Sequence, residues 1–184
     1  MVKIIAGKFR SRVLVTLEGL NTRPMTSRMK ESIFNTIGPY FDNDVVLDLF
    51  GGSGALSLES LSRGASFAYI NEKAYDALKV IKKNVETLGV QNETRIMNLD
   101  YKVALKTLIN DKIKFDIVFL DPPYRMNIVK ELVETLVSND MLKEKAIIIC
   151  QYVSGNYHPE ESEELKLLKN FSYASSEVCI YQKK

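Results

Sequence analysis

Asp121-Pro122-Pro123-Tyr124 follows the apolar run Ile117-Val118-Phe119-Leu120. Neither proline can donate to a sheet ladder, so a strand ending here is held rigid at its tip. An acid and an aromatic fixed at that tip suit one kind of chemistry. The exocyclic amine of a nucleobase is a poor nucleophile, because its lone pair is delocalised into the ring. Two acceptors on its two N–H groups favour the pyramidal, nucleophilic form. The Asp121 carboxylate supplies one acceptor and the Pro122 backbone carbonyl the other. Pro122 and Pro123 keep the two at a fixed separation, and Tyr124 can stack on the base and set its plane. The bland alternative is a strand end with a rigid turn and a packing tyrosine.

Three upstream features weigh against the bland reading. The stretch "VLDLFGGSGALSLESL" places Asp48 in a strand and Gly51, Gly52 and Gly54 in the turn before a helix. Such a turn lets the backbone bend sharply and approach a ligand. Its spacing is neither that of dinucleotide binders nor of a P-loop, so triphosphate binding is disfavoured. Glu72 follows "FAYIN" at a second strand tip, about 20 residues on, and suits paired hydrogen bonds to ribose hydroxyls. Asp100 follows "TRIMNL" at a third tip, where an adenine amine could donate to it. A glycine turn, a ribose acid and an adenine acid, without a phosphate device, fit S-adenosylmethionine. Each acid alone is equally a solvated loop residue; the argument lies in their common placement.

The elements that must position these residues alternate. Strand-like runs occur at "DVVLDLF", "FAYIN", "TRIMNL", "FDIVFL" and "KAIIICQY". Between them lie helical patterns at Ala55–Arg63, Ala74–Leu88, "YKVALKTLIND" and "NIVKELVETLVSN". In the second helix Leu78, Ile81, Val85 and Leu88 share a face, and Gly89 ends it. This alternation predicts a doubly wound α/β fold: a seven-stranded, mostly parallel sheet, covered on both faces. The last two strand-like runs have no helix between them and read as an antiparallel pair at the sheet edge. Residues 1–43 break the pattern and read as an extension docked on a core of residues 44–184. The extension holds an irregular hairpin and a helix from Thr26 to Ile37, with Thr26 or Ser27 as N-cap and Met29, Ile33, Phe34 and Ile37 facing inward.

Composition removes several classes. The 184 residues, 46% hydrophobic and 26% charged, suit one globular domain. No apolar run is long enough to span a bilayer, and the first residues lack the pattern of a signal peptide; the expected location is the cytoplasm. His158 is the single histidine and there are two cysteines, Cys150 and Cys179. That scarcity argues against a zinc site, against histidine-based nucleophilic catalysis and against a disulfide framework. No metal is expected. Net charge is +2, but residues 1–30 carry seven basic side chains and one acid, against 18 and 22 in the remainder. A basic end on a mildly acidic body predicts contact with a polyanion, nucleic acid first.

With these motifs the chain resembles class I methyltransferases of the DPPY/NPPY amino-methylating type. "IIAGKFRSRVL", "TRPMTSRMKESIFNTI" and "LDLFGGSGALSLESLSRGA" narrow the similarity to the RsmD family, which methylates the exocyclic amine of one guanine in bacterial small-subunit ribosomal RNA. The resemblance covers nearly the whole chain and departs at Gly51, where the family usually carries Ala. It implies cofactor contacts at Asp48, Phe50, Gly51, Gly52, Ser53, Gly54, Glu72 and Asp100. It implies the target amine at Asp121 and Pro122, with Tyr124 against the base. A guanine in structured RNA must swing out to reach such a pocket. Lys8, Arg10, Arg12, Arg23 and Arg28 are then the expected phosphate contacts of a monomer acting on small-subunit ribosomal RNA within an assembling or assembled 30S particle. Two alternatives remain at this stage. One is an amino-methyltransferase for adenine or protein glutamine; the other is a non-catalytic RNA-binding protein that kept the fold.

Overall fold

Why the chain makes parallel strands is visible in which side chains they bury. The computed structural model describes residues 2–17 and 26–184. Five strands, β3 (Val45–Asp48), β4 (Phe67–Asn71), β5 (Thr94–Met97), β6 (Phe115–Leu120) and β7 (Leu142–Val153), run parallel. The two short strands β1 (Val2–Lys3) and β2 (Val13–Leu14) pair antiparallel in a separate ladder. In β6, Ile117 and Phe119 enter one core layer, and Val118 and Leu120 the other. A strand covered on both faces has no polar side to show, which is why its sequence reads as an unbroken apolar run.

Helices α1 (Ser27–Ile37), α2 (Ala55–Ser62) and α3 (Tyr75–Leu88) cover one face, and α4 (Tyr101–Asn110) and α5 (Val129–Ser138) the other. The antiparallel ribbon β8 (Leu165–Tyr173) and β9 (Ser176–Lys183) completes a seven-stranded sheet of order β5-β4-β3-β6-β7-β9-β8. The doubly wound expectation holds. Strand order reverses between β3 and β6, so the crevice that open α/β sheets use for ligands falls where the glycine turn and the double-proline corner leave the sheet.

Boundaries differ from the sequence reading in one instructive place. The apolar pattern starts the fifth strand at Lys145, but β7 begins at Leu142. Its pairing with β6 shifts between Phe115 and Ile117, and Lys145 has φ of 60°. A bulge of charged residues, Lys143-Glu144-Lys145, interrupts the alternation that marks a strand.

The N-terminal elements share a core layer with the sheet. Ile4, Leu14, Met29, Ile33 and Phe34 are buried with Val46, Phe119 and Ile149. Thr26 caps α1, its hydroxyl accepting from the Met29 amide at 3.1 Å. The attachment to α2 is polar. Glu59, fully buried, accepts from the Ile5 and Ala6 amides (2.8 and 3.0 Å), Lys30 Nζ (2.8 Å) and Arg63 Nε (2.9 Å). Lys30 also donates to the Lys3 carbonyl at 2.7 Å. Burial lowers the Lys30 ammonium pKa while Glu59 opposes that fall. Each group in this network is paired, which a buried charge requires.

Candidate active site

The site is built at the C-terminal tips of adjacent strands. Asp48 ends β3, level with Ile70 in β4 and Phe119 in β6. The glycine turn then folds back onto the neighbouring strand: the Gly51 amide donates to the Asn71 carbonyl at 2.8 Å, and the Gly54 amide to the Gly51 carbonyl at 2.7 Å. Gly52 and Gly54 take φ of 56° and 77°, the left-handed region that disfavours side chains. Gly51 has a different reason. A Cβ there would lie 2.6 Å from Ile70 Cγ2, so the family's alanine does not fit beside this isoleucine without a shift.

Asn71 binds three tips together, a role the sequence did not suggest. Its side chain, 2% exposed, donates to the Leu49 and Leu99 carbonyls (3.2 and 3.1 Å) and accepts from the Leu99 amide at 3.3 Å. Asn84 of α3 is a second unforeseen tie. It bonds both the amide and the carbonyl of Val15 (2.8 and 3.0 Å) and donates to the Ser53 carbonyl at 2.9 Å, joining the N-terminal segment to the turn. An asparagine on an apolar helix face was the available signal.

Glu72 and the glycine turn meet. The Gly52 amide donates to Glu72 Oε2 at 2.9 Å, and the Ala74 amide to Oε1 at 2.7 Å. Each carboxylate oxygen keeps a lone pair for a ligand hydroxyl. Asp100 caps α4, accepting from the Lys102 amide at 3.1 Å and from Lys73 Nζ at 3.0 Å. The Lys73 bond holds its carboxyl below the usual range. Phe50 packs against Tyr101 with ring centres 5.7 Å apart, closing the crevice on the α4 side.

The two remaining acids of the site, Asp48 and Asp121, both have raised carboxyl pKa values. Burial pushes the Asp48 carboxyl up to about 7, against the stabilising Ser57 hydroxyl at 3.0 Å, and the charge of Glu72 adds to the rise. Asp121 is likewise raised to about 7, first by burial and then by the charge of Asp48. Asp48 is level with Phe119, so Asp121, two residues on, leaves the sheet at the strand tip next to the glycine turn. Beyond Asp121, Pro122 is buried, and the Met126 amide donates to the Pro123 carbonyl at 2.8 Å, which closes the corner. Tyr124 is 38% exposed, and its hydroxyl accepts from Gln151 Nε2 at 3.2 Å. Gln151 is 2% exposed, and its Oε1 is the one buried side-chain polar atom without a partner among the described residues. An orphan of this kind costs about 1–3 kcal/mol.

The basic residues do not gather in one place. The Lys8 amide donates to the carbonyl of Ser62, the last residue of α2, and Lys8 Nζ pairs with Glu93 just before β5. Arg10 and Arg12 lie in the same turn, both exposed. Lys8 is thus held at the end of α2 far from the glycine turn, one helix length or about 12 Å from it. Arg10 there borders a cleft of about 620 Å³ shared with Tyr40 and Arg63. Helix α1 runs alongside α2 in the same direction: Lys30 reaches Glu59, and the Phe41 amide reaches the Arg63 carbonyl at 2.9 Å. Arg28, in its first turn, is exposed. Arg23 falls outside the described residues.

Among the described residues no helix is long and apolar enough to cross a membrane, and no group of three or more acidic, histidine or cysteine side chains is placed to hold a metal. Cys150 and Cys179 are buried free thiols facing each other across β7 and β9.

The reversed strand order, the glycine turn beneath a ribose-type acid and the proline-fixed aspartate beside it define a class I methyltransferase. Comparison with known proteins narrows the class. The family model described as "Conserved hypothetical protein 95" matches residues 2–182. A relative named ribosomal RNA small subunit methyltransferase D, from Haemophilus influenzae, is 38% identical over 82% of this chain and 78% of its own. The chain belongs to the RsmD family. A putative ribosomal RNA methyltransferase of Bacillus subtilis is 34% identical over 100% of both chains. A putative methyltransferase from Escherichia coli superposes with a TM-score of 0.84 at 29% identity, over 100% of this chain and 98% of its own. The fold also extends to an RNA methyltransferase from Salinibacter ruber, solved in complex with S-adenosyl-L-homocysteine, with a TM-score of 0.63 at 17% identity over 87% and 93% of the two chains.

Proposed function

We propose that this protein transfers a methyl group from S-adenosylmethionine to the exocyclic N2 amine of a guanine in small-subunit ribosomal RNA. The observation that supports the reading is the register of β3 with β6, in which Asp48 is level with Phe119 and Asp121 follows two residues later on the adjacent strand tip, beside the glycine turn. The names of the relatives supply the RNA class.

The residues present fit the donor. Glu72 offers free lone pairs beside the turn for ribose hydroxyls, and Gly52 has open space where a side chain would project. Asp48, Phe50, Gly51, Ser53, Gly54 and Asp100 complete the binding wall. S-adenosylmethionine supplies an electrophilic methyl group on a sulfonium. Asp121 and the Pro122 carbonyl accept the two amine N–H bonds and turn the nitrogen lone pair toward that methyl. Tyr124 lies against the base. As the nitrogen bonds the methyl carbon, the methyl–sulfur bond breaks and the neutral thioether S-adenosylhomocysteine leaves; the nitrogen sheds one proton, and a carboxylate with a pKa near 7 is matched to take it. Lys8, Arg10, Arg12 and Arg28 engage RNA phosphates. The enzyme acts as a monomer in the cytoplasm, on small-subunit ribosomal RNA within an assembling or assembled 30S particle.

The test incubates the protein with labelled methyl donor and bare ribosomal RNA, assembled small subunits, DNA or total protein. Label recovered as N2-methylguanine from the small-subunit RNA supports the assignment. Label in DNA, in adenine or in protein, or no transfer at all, overturns it.

A further inference from the structure

Gln151 carries a function that the fold does not need. The pairs Phe119↔Ile149 and Leu120↔Cys150 align β6 with β7, so Asp121 and Gln151 are the next level positions on neighbouring strands. Parallel strands lie about 4.8 Å apart. Gln151 Nε2 donates to the Tyr124 hydroxyl, which leaves Oε1 as the free end. That oxygen is buried and unpartnered, in a chain whose other buried side-chain polar atoms are satisfied among the described residues. A buried acceptor beside the catalytic acid and the stacking tyrosine, with no protein donor, is matched to a donor brought by the substrate.

Resting on the amine-methylating reading above, we propose that Gln151 is a specificity-determining residue that reads the ring N–H next to the target amine. A guanine edge presents N1–H beside its 2-amine, two donors on adjacent atoms. Asp121 and Pro122 take the amine, and Gln151 Oε1 takes N1–H. An adenine amine is flanked instead by a bare ring nitrogen, which would set two acceptors against each other and leave Oε1 an orphan still. The site thus selects guanine by completing its own hydrogen bonding, and rejects a base that cannot.

The experiment compares small-subunit ribosomal RNA ligated to carry guanine or 2-aminopurine at the methylated position. 2-Aminopurine keeps the amine but has no N1–H. The intact enzyme is expected to prefer guanine by about 10- to 100-fold in kcat/KM. In Gln151→Leu the preference shrinks to within about threefold, donor affinity is unchanged, and thermal stability is equal or higher because an orphan has gone. Gln151→Glu, which retains an acceptor, keeps the preference. Gln151→Met reports the same loss if the leucine variant does not fold. Leucine or methionine variants that discriminate as sharply as the parent overturn the inference and leave the methyltransferase reading standing. Failure of the parent to methylate guanine overturns that reading itself.

Discussion

At the scale of single residues, the proposed reaction divides labour between holding a donor and preparing an acceptor. In that proposal Asp121 belongs to the second task, its carboxylate accepting from the amine while the cofactor wall is made by other residues. Asp121→Ala is therefore expected to lower methyl transfer at least about 100-fold while donor affinity, measured by calorimetry, stays within about threefold. Affinity that falls in step with turnover would contradict the division. The raised carboxyl adds a pH signature. An acid with a pKa near 7 is protonated below that value, and a protonated Asp121 loses one of its acceptor faces. Turnover on RNA should fall about tenfold per pH unit below about 7 and level off above it. Asp121→Asn has no proton to gain, so its residual activity should lack that limb; a limb that persists assigns the titration to another group.

At the scale of elements, α2 links the two ends of the molecule. Its start is the glycine turn, its middle is Glu59 and its end receives the basic turn through Ser62. Removing the Glu59 charge leaves Lys30 and Arg63 buried against one another without an anion. Glu59→Gln should destabilise the fold by about 3–5 kcal/mol, read from urea unfolding. A loss below about 1 kcal/mol would mean that the extension is held by its apolar contacts alone. The periodic elements were readable because each buries a defined stripe or face. The hairpin and helix of the extension were readable as well, but its attachment was not, because the anchor is a glutamate that looks like surface in the sequence.

At the scale of the whole molecule, the proposed RNA substrate has a basic edge to meet. Lys8 is held at the far end of α2 from the glycine turn, Arg10 and Arg12 are exposed in the same turn, and Arg10 borders the cleft that holds Tyr40. Reversing charge at Arg10 and Arg12 together should weaken RNA association. It should also flatten the salt dependence by about 1.4–1.8 logarithmic units per decade, the signature of two fewer neutralised phosphates. The reaction with saturating RNA should change far less. An unchanged salt slope removes that edge from the interface.

The sequence by itself determined the alternation of strands and helices, the glycine turn, the acids at strand tips and the proline corner, because period, backbone permission and side-chain chemistry are local properties. Only the tertiary structure decided that Asp48 and Asp121 belong to adjacent strand tips, that Asn71 ties neighbouring tips together and Asn84 ties the N-terminal segment to the glycine turn, that Gln151 has an unpartnered acceptor on the next strand, and that Lys8 is held at the far end of α2. Those facts depend on which strands lie side by side and which way the connecting helices run. Neighbours brought together across 22 or more residues of chain are set by the packing of the whole core, and no short stretch of sequence encodes them.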